Sequence, residues 1–232
     1  MSTRTLLNHH RAAQTSVEVL RYLGRAVKRL KAKGLANTTR YVLHVAHDWI
    51  LSSLVDLRFG GRICRTNLDE SVYKDGRHTM VHSGYHVLRD IFAHVLISDR
   101  DVLVDVGCGE GRVINFWLSR GLKNPIIGLE FMDSIARAAK ARYRRYPNVA
   151  IVQGDAIANM PRNGTIFFLY NPFSAETVAS FESVARTLDA TIIYYNNNYM
   201  DAFENGHWDV KPVASGNRVY EFRAAVMTRR AA

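Results

Sequence analysis

The chain reads as an α/β protein: a doubly wound, mostly parallel seven-stranded sheet with a C-terminal antiparallel hairpin, preceded by an N-terminal helical extension. Three observations predict this. From position 101 onward, short apolar runs alternate with amphipathic segments about 10 to 15 residues long, which is the grammar of right-handed βαβ units. The apolar runs are continuous rather than alternating, as expected of strands covered on both faces. The last part, "HWDVKPV" and "NRVYEFRAAVMT" around "ASGN", carries a hairpin signal.

Each element can be justified in order. "SVEVLRYLGRAVKRLKAK" (16–33) has apolar residues near helical spacing with basic residues between them, and Gly34 is a natural stop. A second helical segment, about 39–58, is mostly apolar, interrupted by His44, His47 and Asp48. Gly60 and Gly61 end it, and an irregular stretch follows to about His82. "GYHVLRDIFAHVLI" (84–97) predicts a third helix. Then come a strand in "DVLVDVG", a helix in "GRVINFWLSRGL" closed by Gly121, and a strand in "PIIGLE". "DSIARAAKARYRRY" predicts a helix with Asp133 as its N-terminal cap. Strands in "NVAIVQGD" and "TIFFLYN", a helix beginning at Ser174, and a strand in "ATIIYYN" complete the parallel set. This organisation sets residues 1–83 apart as a basic helical extension or cap and residues 84–232 as the main domain.

Composition bounds the function. With 232 residues, 47% of them hydrophobic and 22% charged, the chain suits one globular domain plus an extension. The net charge of +10 favours anionic partners, but it is uneven. The first 40 residues hold nine Lys and Arg against Glu18 alone, so the remainder is nearly balanced. Two cysteines, Cys64 and Cys108, form neither a disulfide framework nor a metal-ligand spacing, and no metal is expected. No signal peptide and no run of 18 apolar residues is visible, which points to a cytoplasmic protein. The basic first helix has three readings: a solvated cap, an interfacial helix on an anionic membrane, or a nucleic-acid contact.

Ligands in parallel sheets bind at the carboxyl ends of the strands. After the first strand comes "DVGCGEGR" (105–112), where Gly107, Gly109 and Gly111 at alternate positions allow a tight turn and close approach to a ligand. The spacing is G-x-G-x-G, and Asp105 precedes it. An acidic residue there suits a cationic or hydroxyl-rich ligand better than a pyrophosphate. Cys108 reads as a small residue filling the turn. After the second strand comes Glu130, whose carboxylate can accept two hydrogen bonds from ribose hydroxyls, followed by Phe131. After the third come Asp155, which can accept from an exocyclic amine, and Ala156. After the fourth come Asn171, Pro172 and Phe173. The triplet Asn196, Asn197, Asn198 follows the fifth strand as a loop that could line a substrate mouth.

"DVGCGEG", "GLE", "GDA" and "NPF", in that order, resemble the motifs of class I S-adenosylmethionine-dependent methyltransferases over roughly residues 101–228. The resemblance implies S-adenosyl-L-methionine as cofactor and S-adenosyl-L-homocysteine as product. It implies a glycine turn under the methionine end (Asp105, Gly107, Cys108, Gly109), ribose held by Glu130 beside Phe131, and adenine contacted at Asp155 and Ala156. "NPF" is similar to the (D/N/S)-P-P-(Y/F/W) motif of enzymes that methylate nitrogen, one proline short. The resemblance thus implies that Asn171, Pro172 and Phe173 orient an acceptor nitrogen on a protein or small molecule. RNA or DNA, and a non-catalytic binding module, remain the alternatives. Tyr85 and His82 are expected to close the pocket, His82 as a proton acceptor near its unperturbed pKa.

Overall fold

The computed structural model describes residues 24, 34–43, 45–60, 84–170, 173–213 and 222–230. The expected first helix (apart from Gly24), His44, His82, Asn171 with Pro172, and the turn at 214–217 lie outside the described residues. The chain divides into two units, residues Met1–Ile50 and Leu51–Ala232. Within the larger unit Asp56 is buried, and its carboxylate is bonded to Tyr85 and Asn115.

Residues 34–43 and 45–59 are helical, so helix already covers 34–38, ahead of the expected start near Thr39. Gly34 itself has φ +79°, a left-handed backbone that interrupts a helix. The larger unit then carries α1 (Tyr85–Phe92), β1 (Leu103–Val106), α2 (Arg112–Ser119), β2 (Ile126–Glu130), α3 (Asp133–Tyr143), β3 (Val149–Gln153), β4 (Ile166–Tyr170), α4 (Ala175–Ala185), β5 (Thr191–Tyr195), a 3-10 turn (Met200–Phe203), β6 (Trp208–Val213) and β7 (Ala224–Arg229). The sheet order is β3-β2-β1-β4-β5-β7-β6. Strands β1 to β5 pair in parallel, and β7 is antiparallel to both β5 and β6.

The double winding explains why the strands read as unbroken apolar runs. Along β4, Ile166 and Phe168 enter one core, while Phe167 and Leu169 enter the other. The first core packs the buried faces of α1, α2 and α3, including Leu88, Ile91, Phe116, Trp117, Ala139 and Tyr143. The second packs Val178 and Phe181 of α4 with Phe203 and Trp208. Glu182, buried on α4, accepts from Trp208 Nε1 at 2.9 Å and from Asn205 Nδ2 at 2.7 Å, which ties α4 to the start of β6.

Helix starts follow local chemistry. Ser174 caps α4 and accepts from Thr177 N at 3.4 Å, as its sequence suggested. Asp133 does not cap α3: Met132 holds that position, and Asp133 is the first helical residue, paired with Arg137 at 2.8 Å one turn on. The helix expected over 84–97 ends at Phe92, and β7 begins at Ala224, later than the run from Asn217 suggested.

Candidate active site

The register brings the strand ends level. Val106 lies between Leu129 and Leu169, and Tyr170 lies opposite Tyr195. The chain reverses its winding between β1 and β4, so the crevice for a ligand opens beside Asp105, Glu130 and Tyr170.

The glycine turn is built from backbone bonds. The amides of Gly107 and Cys108 both donate to Leu129 O, at 2.9 and 2.8 Å, curling the end of β1 over β2. Gly109 N donates to Glu130 Oε2 at 2.9 Å, and Met132 N donates to Glu130 Oε1 at 2.8 Å. Each carboxylate oxygen thus holds one backbone amide and keeps further acceptor capacity for a ligand hydroxyl. Gly111, with φ +83°, starts α2, and a Cβ there would meet Tyr143 Oη at 2.2 Å. That hydroxyl lies 2.8 Å from both Gly111 O and Asn115 Oδ1.

Asp105 is 3% exposed, and its Oδ2 finds no hydrogen-bond partner among the described residues. Burial, and then the nearby Glu130 carboxylate, push its pKa up to about 8. Glu130 is also raised by burial, against the pull of its backbone amides. Two carboxyl groups sunk under a glycine turn form a site that a cationic, hydroxyl-bearing ligand would satisfy. Cys108 sits within the turn. Its thiol is buried and weakly ionising, and a Cβ at Gly128 would approach its Sγ to 2.8 Å.

The other expected residues fall at the neighbouring strand ends. Phe131 is half exposed, and its carbonyl accepts from Gln153 Nε2 at 3.2 Å. Asp155 is exposed; its Oδ1 accepts from the amides of Ile157 and Ala158, both at 2.9 Å, so it shapes the turn that buries Ala156. Its Oδ2 has no hydrogen bond among the described residues. Phe173 is half-buried beside the α4 cap. Asn171, Pro172 and His82 lie outside the described residues.

Tyr85, expected at the mouth of the pocket, is instead buried, and its hydroxyl donates to Asp56 Oδ1. Arg112 lies 4.8 Å above its ring and 3.5 Å from Asp56 Oδ2, and Asn115 Nδ2 donates to Asp56 Oδ1 at 3.4 Å. Asp56, Tyr85, Arg112, Asn115 and Tyr143 form one polar network, which reaches the glycine turn where Tyr143 Oη donates to Gly111 O. Sequence reasoning missed Asp56, Asn115 and Tyr143. The available signal was a lone carboxylate or amide within an apolar helical stretch.

A second group was also missed. Tyr170 and Tyr195 stack at 4.2 Å with 11° between their rings, and Phe222 meets Tyr195 edge-on at 6.0 Å. Burial raises both phenols. Asn196, directly after Tyr195, holds φ +54°, uncommon for a residue with a side chain. The signal was present: strands four and five both end in Tyr-Asn.

Comparison with known proteins agrees with this architecture. Residues 104–189 match a family described as Methyltransferase domain. An RNA methyltransferase from Salinibacter ruber, solved with S-adenosyl-L-homocysteine, superposes with a TM-score of 0.51 at 15% identity, covering 66% of this chain and 96% of that one. The pyocyanin biosynthetic protein PhzM gives 0.52 at 16% identity, over 63% of this chain and 54% of its own. A precorrin-6y C5,15-methyltransferase from Geobacter metallireducens gives 0.50 at 13% identity, over 67% and 96%. No curated protein matches the chain in sequence. The strand order is that of the class I S-adenosylmethionine-dependent methyltransferase fold, and the family match, over residues 104–189, and the ordered motifs support a methyltransferase domain there.

Proposed function

We propose that this chain transfers the methyl group of S-adenosylmethionine to a nitrogen of a protein or small-molecule acceptor. The observation that carries the reading is the pair of buried carboxyl groups, Asp105 and Glu130, around a glycine turn at the point where the sheet reverses its winding. The unsatisfied Asp105 Oδ2 suits the ammonium of the cofactor's methionine end, and the two Glu130 oxygens suit ribose hydroxyls. Phe131 and Asp155 would flank the adenine. The ligand crystallised with the Salinibacter enzyme supports the same ligand class here.

When bound, S-adenosylmethionine supplies an electrophilic methyl group and a thioether leaving group. What remains for the chain is alignment and exclusion of water. Asn171 follows Tyr170 directly in sequence and would accept a hydrogen bond from the acceptor N–H, holding its lone pair toward the cofactor. The Tyr170–Tyr195 stack supports this reading by giving that edge of the crevice an apolar wall. A lysine-like amine, with a pKa of about 10.4 in water, would have to enter neutral, and burial beside a cationic cofactor favours that form.

The test is incubation of cell extract with methyl-labelled cofactor and identification of the labelled molecule. The proposal expects label on nitrogen of a protein or small molecule, abolished in Asn171→Ala. Label recovered in RNA or DNA would overturn the acceptor class. Absence of transfer despite cofactor binding would identify a non-catalytic module.

A further inference from the structure

Seven of the ten exposed large apolar side chains among the described residues lie between Leu35 and Leu57. Scattered apolar side chains on a surface need no explanation; a concentration like this one does. Within residues 34–50, Leu35, Val42 and Trp49 recur every seven positions, two helical turns apart, and Leu43 and Ile50 form a second row one residue on. Trp49 is 61% exposed and Leu35 72%, whereas Tyr41, on another side of the same run, and Thr38, at the edge of the rows, are buried. The two rows therefore make an apolar side that faces outward.

Charge decides among the occupants. The run 34–50 itself is balanced, Arg40 against Asp48, but the sequence that leads into it is not: the first 40 residues carry nine Lys and Arg against Glu18 alone, a net charge of +8, with Lys28, Arg29, Lys31 and Lys33 immediately before the run. A second copy of the chain would bring +8 against +8. A nucleic acid would satisfy the charge but leave the Leu, Val and Ile side chains in water. An anionic bilayer surface meets both requirements: apolar side chains enter the headgroup–acyl boundary, and basic residues meet the headgroups. Among the described residues no helix is long and apolar enough to cross a membrane, so the geometry is that of a helix lying on the surface.

We propose that the helical run bearing Leu35, Val42, Leu43, Trp49 and Ile50 docks on anionic lipid bilayers. The surface lies outside the residues that form the cofactor site, so it stands or falls independently of the proposed activity.

The chain contains its own reporter. Of three tryptophans, Trp117 and Trp208 are buried, leaving Trp49 as the environment-sensitive one. The full chain is titrated with vesicles of phosphatidylglycerol and phosphatidylcholine, with pure phosphatidylcholine vesicles, and with a single-stranded RNA oligonucleotide. Tryptophan emission and co-sedimentation are followed at several salt concentrations. We expect a blue shift and sedimentation with anionic vesicles, at least about tenfold tighter than with pure phosphatidylcholine and weakening as salt shortens the Debye length. Leu43→Ser with Ile50→Ser, both at exposed positions, should weaken vesicle binding at least about tenfold with an unchanged unfolding midpoint. The lipid and salt series test the proposal even if that variant misfolds. Equal binding to zwitterionic vesicles, no sedimentation, or full binding by the double variant would overturn it. So would a Trp49 response to RNA alone, or a response to protein concentration without lipid.

Discussion

Asp105 shows how one residue links folding to ligand binding. Its carboxyl is raised to about 8, while an unfolded chain releases that proton near its ordinary value of about 3.9. Between these values the folded ligand-free protein keeps a proton that the unfolded chain has lost. Stability is therefore fully present below about pH 4 and falls as pH rises toward 8, by up to about 1.4 kcal/mol per unit. A cationic ligand favours the ionised carboxylate, so binding should release a proton and tighten with pH. Affinity for S-adenosylhomocysteine, measured by calorimetry from pH 6 to 9, should rise about tenfold per unit below pH 8 and then level off. In Asp105→Asn the slope should vanish. A flat wild-type profile would mean that Asp105 serves only the turn. That Asp105 stands at the end of a strand before the glycines was legible; that its Oδ2 has no partner among the described residues was not, because that depends on what surrounds it.

Among the elements, α1, α2 and α3 meet through Asp56, Tyr85, Arg112, Asn115 and Tyr143. Asp56→Ala would leave Arg112 and Tyr85 without their buried acceptor and should cost about 3 kcal/mol in denaturant unfolding. An unchanged midpoint would show that the network is incidental. Gly111→Ala forces a side chain into a left-handed position against Tyr143 Oη. The backbone alone should cost about 1–2 kcal/mol, and cofactor-analogue affinity should fall with it. In Gly111→Ala with Tyr143→Phe, the lost hydroxyl relieves the closest contact, so part of the affinity should return. These supports were not legible in the sequence, since Asp56 and Asn115 are 59 positions apart and each alone looks like a polar interruption of an apolar helix. Strand identity was legible, because β4 must feed two cores and so reads as an unbroken apolar run. Helix ends were less so: Asp133 was read as a cap, but the turn placed Met132 there.

For the molecule as a whole, alternation of strands and helices conveyed the parallel sheet and its terminal hairpin. The insertion of β7 between β5 and β6 was not visible, because a hairpin signal does not say which arm joins the sheet. The same ordering of strands brings the ends of β1 and β2, with Asp105 and Glu130, side by side, and that much followed from reading strands that end in glycines and carboxylates. The aromatic group of Tyr170, Tyr195 and Phe222 was not legible, since it draws on three separate stretches. The central claim is that these strand ends form a site for an S-adenosyl ligand, with Glu130 as its anchor. Calorimetric titration of the full chain with S-adenosylhomocysteine tests it most directly. The account predicts one-to-one binding by the wild type and a loss of roughly 100-fold in Glu130→Ala, the equivalent of two charge-assisted hydrogen bonds. No binding by the wild type, or undiminished binding by Glu130→Ala, would contradict it.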